Sequence, residues 1–508
     1  GVAVAKRILL RLAVRVGEPG AGAEYAEQTY TPAPLTRFQF RDEPANPIVR
    51  VPECKTAEPG TEQSVAKRVY HGPFYGQTAI RFAVTVNHVL ADPPKDTVRA
   101  QRDEYDAAVR EVYHRGGAPT LNSTTRTPDQ TVAALYWAYD GANLIGTPPR
   151  LYNQILRRVA WLQRNELPRT PIELTDEYVR LFALSNVAMA DAGTLAWAEK
   201  YHHNFWRPLG GLREDDSGTG PQDSAPYRAD GVNGTQHLIG SADPFWLALG
   251  APSTNTNGVP FKPPFPAYPS GHATFGAAAF QMARLFYKQR HNAEYKAGGR
   301  VRDESPDDLA FDFVSDELDG ISRDLYQKYD RNLPIQGQQG LVRTRVVRRF
   351  GSLWAAIYEN AASRVYLGVH WRFDSFAAAD VVSNRLGGDK LPQHKSPEDI
   401  RYKTNGGRHG AGVPVGFGGV PLGLAIANDI FKHGLRQSPD AIQPAAVFNA
   451  PWETGRCAIT PATDSIQPAA VFNAPLVTNT STVAKSATNT GATQVDGLLS
   501  VASDIRPS

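Results

Sequence analysis

The chain has 508 residues, 41% hydrophobic and 21% charged, with 44 Gly and 39 Pro, the balance of a globular protein rich in loops. A formal net charge of +3 gives no reason to expect nucleic acid or an anionic membrane as a partner, and no apolar run reaches the roughly 18 residues needed to span a bilayer, so a soluble protein is expected. Two cysteines, Cys54 and Cys457, exclude a disulfide framework, a Cys-rich zinc site and an iron–sulfur cluster, so any metal must be held by N or O donors.

The stretch Lys6–Arg15 is apolar but interrupted by Arg, and it lacks the unbroken apolar region of a signal peptide. Residues 1–126 read as irregular wrapping, in which Ile80, Phe82, Val84 and Val86 alternate as in a strand or an extended loop. Thr127-Pro128-Asp129 supplies a cap, a first-turn proline and an acidic first turn for a helix through Trp137. Thr175 is expected to cap a long helix that buries Leu181, Leu184, Ala188 and Leu195 and runs towards Trp206. Ser270 caps the next, with Phe275, Ala279, Met282 and Phe286 on one face. Ser305-Pro306-Asp307-Asp308 is expected to open another helix, and 344–367 a last one through Leu353, Ile357 and Ala361. The fold class is therefore mainly α, a helical bundle over 127–390 with a wrapping segment over 391–440. Residues 441–508 are low in complexity, and the stretch from Ile442 to Pro451 nearly repeats at Ile466 to Pro475, so a disordered tail is expected.

Three separated segments share one chemistry. Lys200 and Arg207 are seven apart, which on one helix places both cations on the same face two turns apart; alone, they would read as a solvated stripe. In Pro269-Ser270-Gly271-His272, a capping Ser, a glycine without Cβ and free helix N–H groups make an anion cradle with His272 beside it for proton exchange. In the third, Arg364 and His370 are six apart, Gly368 can break the helix between them, and Asp374 can accept the second imidazole N–H of His370. Three cations, a cradle and two histidines suit a tetrahedral, phosphate-like oxyanion.

On these motifs, Lys-x6-Arg-Pro, Pro-Ser-Gly-His and Ser-Arg-x5-His, the chain resembles the vanadium-dependent haloperoxidases of the type 2 acid phosphatase superfamily. Tyr136–Gly141, Asn143–Arg150, Pro263–Pro269 and Leu367–Asp374 look like the fungal vanadium chloroperoxidases in particular, and the similarity runs from about residue 30 to 444. The resemblance implies a helical bundle holding vanadate, with His370 as the sole protein ligand to vanadium. It implies that Lys200, Arg207, Ser270, Gly271 and Arg364 bind the vanadate oxygens and that His272 is the acid–base group, with Lys200 activating peroxide. By the same matching Trp197 and Phe265 line the halide side, Phe265 marks the chloroperoxidase form, and Asp140 pairs with Arg364.

The implied reaction takes hydrogen peroxide and chloride or bromide to hypohalous acid, which halogenates an organic acceptor; the enzyme would be a monomer without a membrane span. Two alternatives share the site: a phosphatase with His370 as nucleophile and His272 as acid, or a non-catalytic oxyanion-binding scaffold. The apolar Trp197 and Phe265 have no obvious use in binding a phosphate ester. Against the fungal pattern, the N-terminal helical region looks short, which would leave apolar helix faces exposed, and the interval from Pro208 to Pro269 looks long, the surplus lying in 214–240. The resemblance also implies secretion, with sequons at Asn122, Asn233 and Asn479 as a weaker sign.

Overall fold

The computed structural model describes residues 37–40, 48–53, 63–68, 81–139, 147–166, 169–214, 243, 245–250, 263–295 and, with short gaps, 309–377 and 402–435. In chain order come strands β1 (Ile48–Glu53) and β2 (Gln63–Arg68), then helices α1 (Arg102–Arg115), α2 (Pro128–Tyr136), α3 (Pro148–Gln163), α4 (Pro171–His203), α5 (Pro208–Glu214) and α6 (Gly271–Tyr295). Four short strands follow, β3 (Phe311–Val314), β4 (Arg323–Leu325), β5 (Gly340–Val342) and β6 (Val347–Phe350). Helix α7 (Leu353–Tyr366), strands β7 (Tyr402–Asn405) and β8 (Ala411–Val415), and helix α8 (Gly419–His433) complete the described elements. The strands form two-stranded antiparallel pairs, β1–β2, β3–β6, β4–β5 and β7–β8, so the body is mainly helical as expected.

Helix α6 lies at the centre, packed by α8, α4, α7 and α3. Residues 271–283 are buried all round, among them Ala273, Phe275, Ala277, Ala278, Phe280, Met282 and Ala283, the pattern of a helix enclosed by others. Glycines let α8 approach closely: a Cβ on Gly423 would stand 2.3 Å from the Thr274 carbonyl oxygen, and one on Gly419 would stand 2.5 Å from that of Ser270. Helix α4, at 33 residues about 50 Å long, buries Leu181, Leu184, Ala188 and Leu195, while Ile172 and Val179 near its start are exposed.

Its cap is Thr170 rather than Thr175. Pro171 takes the first helical position, and Thr170 and Glu173 exchange side-chain and backbone hydrogen bonds as a capping box; Thr175, already inside the helix, donates to the Pro171 carbonyl. The expected cap at Thr127 is present, with Gln130 as its reciprocal partner.

No helix directly follows Ser305 among the described residues. Ser305–Asp308 fall outside the described residues, and Phe311–Val314 instead pairs with Val347–Phe350, stacking Phe311 on Phe350 at 4.9 Å. The last expected helix starts at Leu353, capped by Ser352, and not near 344, where strand β6 intervenes. Its Leu353, Ile357 and Ala361 are buried as expected.

Among the described residues, both of the regions expected to wrap contain helix. Within 1–126, α1 buries Tyr105, Ala108, Val109 and Val112 at helical spacing. Within 391–440, α8 covers α6. Residues 81–90 form a non-helical segment, bent at 82–83 and 85–86, whose backbone donors are taken by helix carboxylates. Asp191 on α4 accepts from the N–H groups of Phe82, Ala83 and Val84, Asp429 on α8 from Thr85, and Glu199 on α4 from Leu90. Ile80, residues 215–242 and the repeat-bearing residues 442–475 lie outside the described residues. Among the described residues no helix is long and apolar enough to cross a membrane.

Candidate active site

The three motif segments meet where α4, α6 and α7 begin or end. Lys200 lies in the last turn of α4, but Arg207 does not continue that helix, correcting the shared-face expectation. Asn204 adopts a left-handed conformation (φ 49°) that stops α4 at His203, and Phe205 and Trp206 form bridges to Gln39 and Phe38 before α5 begins at Pro208. The turn nevertheless returns Arg207 to the same loop that Lys200 reaches. Lys200 Nζ donates to the carbonyls of Pro266 (3.1 Å), Ala267 (2.9 Å) and Pro269. Arg207 Nε donates to Phe265 O (3.0 Å), and its Nη1 to Val369 O (2.8 Å).

Ser270 precedes α6 and acts as its cap: its carbonyl accepts from Thr274 N and Oγ1, its Oγ lies 3.4 Å from Ala273 N, and its N–H donates to the Asp374 carbonyl. A Cβ on Gly271 would meet the Trp197 ring at 3.2 Å, so a side chain there would crowd the aromatic wall. His272, in the first turn, places Nε2 2.7 Å from Ala138 O, which assigns the proton to Nε2 and leaves Nδ1 to exchange protons. The His272 carbonyl receives the Tyr152 hydroxyl (3.0 Å) and Asn360 Nδ2 (2.9 Å).

Helix α7 delivers Arg364 in its final turn and ends at Tyr366; Gly368 (φ 75°) then turns the chain so that His370 faces the cations. The break foreseen at Gly368 is present. His370 Nδ1 is 2.7 Å from Asp374 Oδ2, which also accepts from Trp371 N, and His370 Nε2 is 2.9 Å from Arg207 Nη1. With Asp374 taking the Nδ1 proton, Nε2 presents its lone pair to the cation cluster. Trp197 and Phe265 pack 5.1 Å apart, and Lys200 Nζ lies 5.5 and 5.1 Å from their respective ring centres. Asp140 lies outside the described residues.

Lys200, Arg207 and Arg364 are all within 1% of complete burial, an arrangement that repels itself. Burial and then Arg207 push Lys200 well below the usual ammonium range, against the pull of Asp374. Burial, Arg364, Lys200 and Arg207 hold His272 well below the usual imidazole range, despite the Ala138 carbonyl; burial, Arg207, Lys200 and Arg364 do the same to His370. Burial raises Asp374, opposed by Lys200, Arg207 and the Trp371 N–H. Two neutral imidazoles beside three enclosed cations are a donor set that an oxyanion would complete, and vanadate or phosphate fits it.

Asn360 and Tyr152, which hold the His272 carbonyl, are the site-forming residues that sequence reasoning missed. A signal for Asn360 existed: it is a polar residue three positions after Ile357 on the buried face of α7.

A family model described as the VCPO second helical-bundle domain matches residues 180–391, and one described as the vanadium chloroperoxidase N-terminal domain matches residues 1–81, ahead of the start expected near residue 30. Together they take in more than half of the chain. A vanadium chloroperoxidase of Curvularia inaequalis is 47% identical over 431 residues, covering 82% of this chain and 65% of that protein, so the chain spans just under two thirds of the relative's length. Among solved structures, a bacterial vanadium-dependent iodoperoxidase aligns at 16% identity and a TM-score of 0.37, over 79% of this chain and 64% of that one. An apo-type bacterial vanadium-dependent chloroperoxidase aligns at 13% identity and 0.38, over 73% and 69%. With both domain models matched in order and nearly half the residues shared along most of its length, the chain belongs to the vanadium haloperoxidase family.

Proposed function

We propose that this protein is a vanadate-dependent haloperoxidase that uses hydrogen peroxide to oxidise chloride, and bromide, to hypohalous acid, which then halogenates an organic acceptor. One observation carries the reading: three buried cations surround an imidazole whose outer nitrogen is anchored on Asp374 and whose Nε2 lone pair faces them. His370 Nε2 would hold the metal, while Lys200, Arg207, Arg364, the Ser270 hydroxyl and the Gly271 N–H would hold the oxygens. Bound vanadate would supply a Lewis-acidic centre for peroxide activation, without haem or thiolate.

The chain's own residues do the rest. Lys200, fixed by the Pro266, Ala267 and Pro269 carbonyls, aims a positive charge that stabilises developing negative charge on oxygen. His272 takes and returns a proton at Nδ1, its ring oriented by the Ala138 carbonyl on the other side. Trp197 and Phe265 exclude water from one side of the site and offer an apolar wall to a weakly hydrated halide. Chloride use is supported by Phe265 and by the vanadium chloroperoxidase at 47% identity.

Folded protein supplied with vanadate, peroxide and chloride should chlorinate monochlorodimedone, and phosphate should suppress the rate by competing for the same cations. Absence of peroxide-dependent halogenation, or a rate indifferent to excess phosphate, would refute the proposal. Hydrolysis of p-nitrophenyl phosphate through a phosphorylated His370 in vanadate-free protein would instead establish the phosphatase alternative.

A further inference from the structure

Beside Tyr268 of the Pro266–Pro269 loop, a second group of metal-capable side chains gathers at the end of α4. His202 and His203 close the helix, and the extended segment that follows Leu90 brings Asp92 to them; one ligand atom from each of the three lies within 4.8 Å of the others. His203 Nδ1 and Asp92 Oδ1 are 3.4 Å apart. That is already about the separation of two ligands around a tetrahedral ion with bonds of roughly 2.1 Å.

The surroundings of His203 carry the inference further. Its Nε2 is 3.2 Å from Glu199 Oε2, and that carboxylate oxygen is itself held by the Leu90 N–H at 2.9 Å. A histidine whose far nitrogen donates to a fixed carboxylate while its near nitrogen faces another ligand is the arrangement that orients metal-binding imidazoles. The Tyr268 ring packs edge-on to His203 at 5.0 Å and stops it from swinging away. Asp92 is 76% exposed, so its side chain can move the last fraction of an ångström and an ion can enter from solvent.

We propose that Asp92, His202 and His203 bind a divalent transition-metal ion of the Zn2+ class, with Glu199 orienting His203. Two imidazoles and one carboxylate suit such an ion better than Ca2+ or Mg2+, which prefer all-oxygen shells. Its consequence is structural: the ion would fasten the segment carrying residues 81–92 to α4, adding to the clamps at Asp191 and Glu199. Nothing in this proposal depends on vanadate or on the reaction of the neighbouring site.

The test is calorimetric titration of tag-free, chelator-treated full-length protein with ZnCl2, accompanied by thermal unfolding with and without the ion. Wild type should bind one equivalent saturably and unfold at a higher temperature with Zn2+. Asp92→Asn and His203→Ala should each weaken that equivalent at least tenfold and lose the thermal shift. Glu199→Gln, which leaves the three ligands in place, should weaken it by about 10- to 100-fold. His114→Ala, at a separate histidine, should bind as wild type. No saturable binding by wild type, or an unchanged equivalent in Asp92→Asn, would overturn the site. Asp92→Asn decides the matter even if His203→Ala fails to fold, because Asp92 is exposed and its replacement is isosteric.

Discussion

Helix α5 offers two neighbouring glycines that separate tertiary packing from backbone propensity. A Cβ on Gly210 would meet nothing within 4 Å, whereas one on Gly211 would stand 2.6 Å from Trp371 Cζ2, 2.9 Å from its Cη2 and 3.1 Å from Trp206 Cε2. Both positions lie in the same short helix, and neither needs the left-handed backbone that only glycine adopts easily. Alanine should therefore bring each a similar propensity gain, at most about 1 kcal/mol and nearer half that close to a helix start. At Gly211 this is opposed by overpacking against two indoles that are at most 1% exposed, at a cost of about 1–3 kcal/mol. Gly210→Ala should thus be neutral or slightly stabilising and Gly211→Ala net destabilising, with a gap of about 2 kcal/mol between them, read from urea unfolding midpoints at a common slope. Trp371 donates its ring N–H to Trp206 O and its backbone N–H to Asp374, so Gly211→Ala should also weaken vanadate binding while Gly210→Ala leaves it intact. Equal stability of the two variants would show that α5 is not pressed against Trp371, and the reasoning would fail.

Two further outcomes follow from single contacts. Asp374→Asn keeps the shape but replaces the carboxylate that accepts from His370 Nδ1 and Trp371 N, and vanadate affinity measured by equilibrium titration should fall about 10- to 100-fold; an unchanged affinity would remove Asp374 from any role in orienting the ligand. Burial alone would raise Asp429, yet hydrogen bonds from His88, Thr85 and His433 hold its carboxyl well below the usual value of 3.8, so its contribution is complete above that value and fades as pH falls further. Asp429→Asn should accordingly unfold more easily at neutral pH and converge on wild type in strong acid; parallel stability curves down to low pH would contradict this.

The site was more legible than the fold around it. Residue types carried the site: Lys200, Arg207, Ser270, Gly271, His272, Arg364 and His370 stand in three compact motifs, and Gly368 and Asp374 could be given their tasks from spacing alone. Local chemistry also made Thr127 and Ser270 readable as helix starts, whereas the start at Ser352 was set too early, near 344. At Thr170 and Thr175 two acceptable caps competed, and the reciprocal bond with Glu173 next to Pro171 decided between them. The stripe of α1 from Tyr105 to Val112 had helical spacing that could have been seen against its loop-rich surroundings.

What the sequence by itself determined was the chemistry to be assembled: cations, imidazoles and a helix start suited to an oxyanion, in a chain with too few cysteines for sulfur-held metal. Only the tertiary structure decided how Arg207 returns to Lys200 after α4 has ended, because a single left-handed residue at Asn204 and bridges to a distant segment set that path. It also decided that Phe311–Val314 pairs as a strand, since its partner lies more than 30 residues further along the chain. Asn360 and Tyr152 found the His272 carbonyl in the same way, across helices that no local pattern relates. Propensity and capping act within a few residues, whereas burial and hydrogen-bond satisfaction act between segments far apart in sequence, and the geometry of this site is set by the second kind.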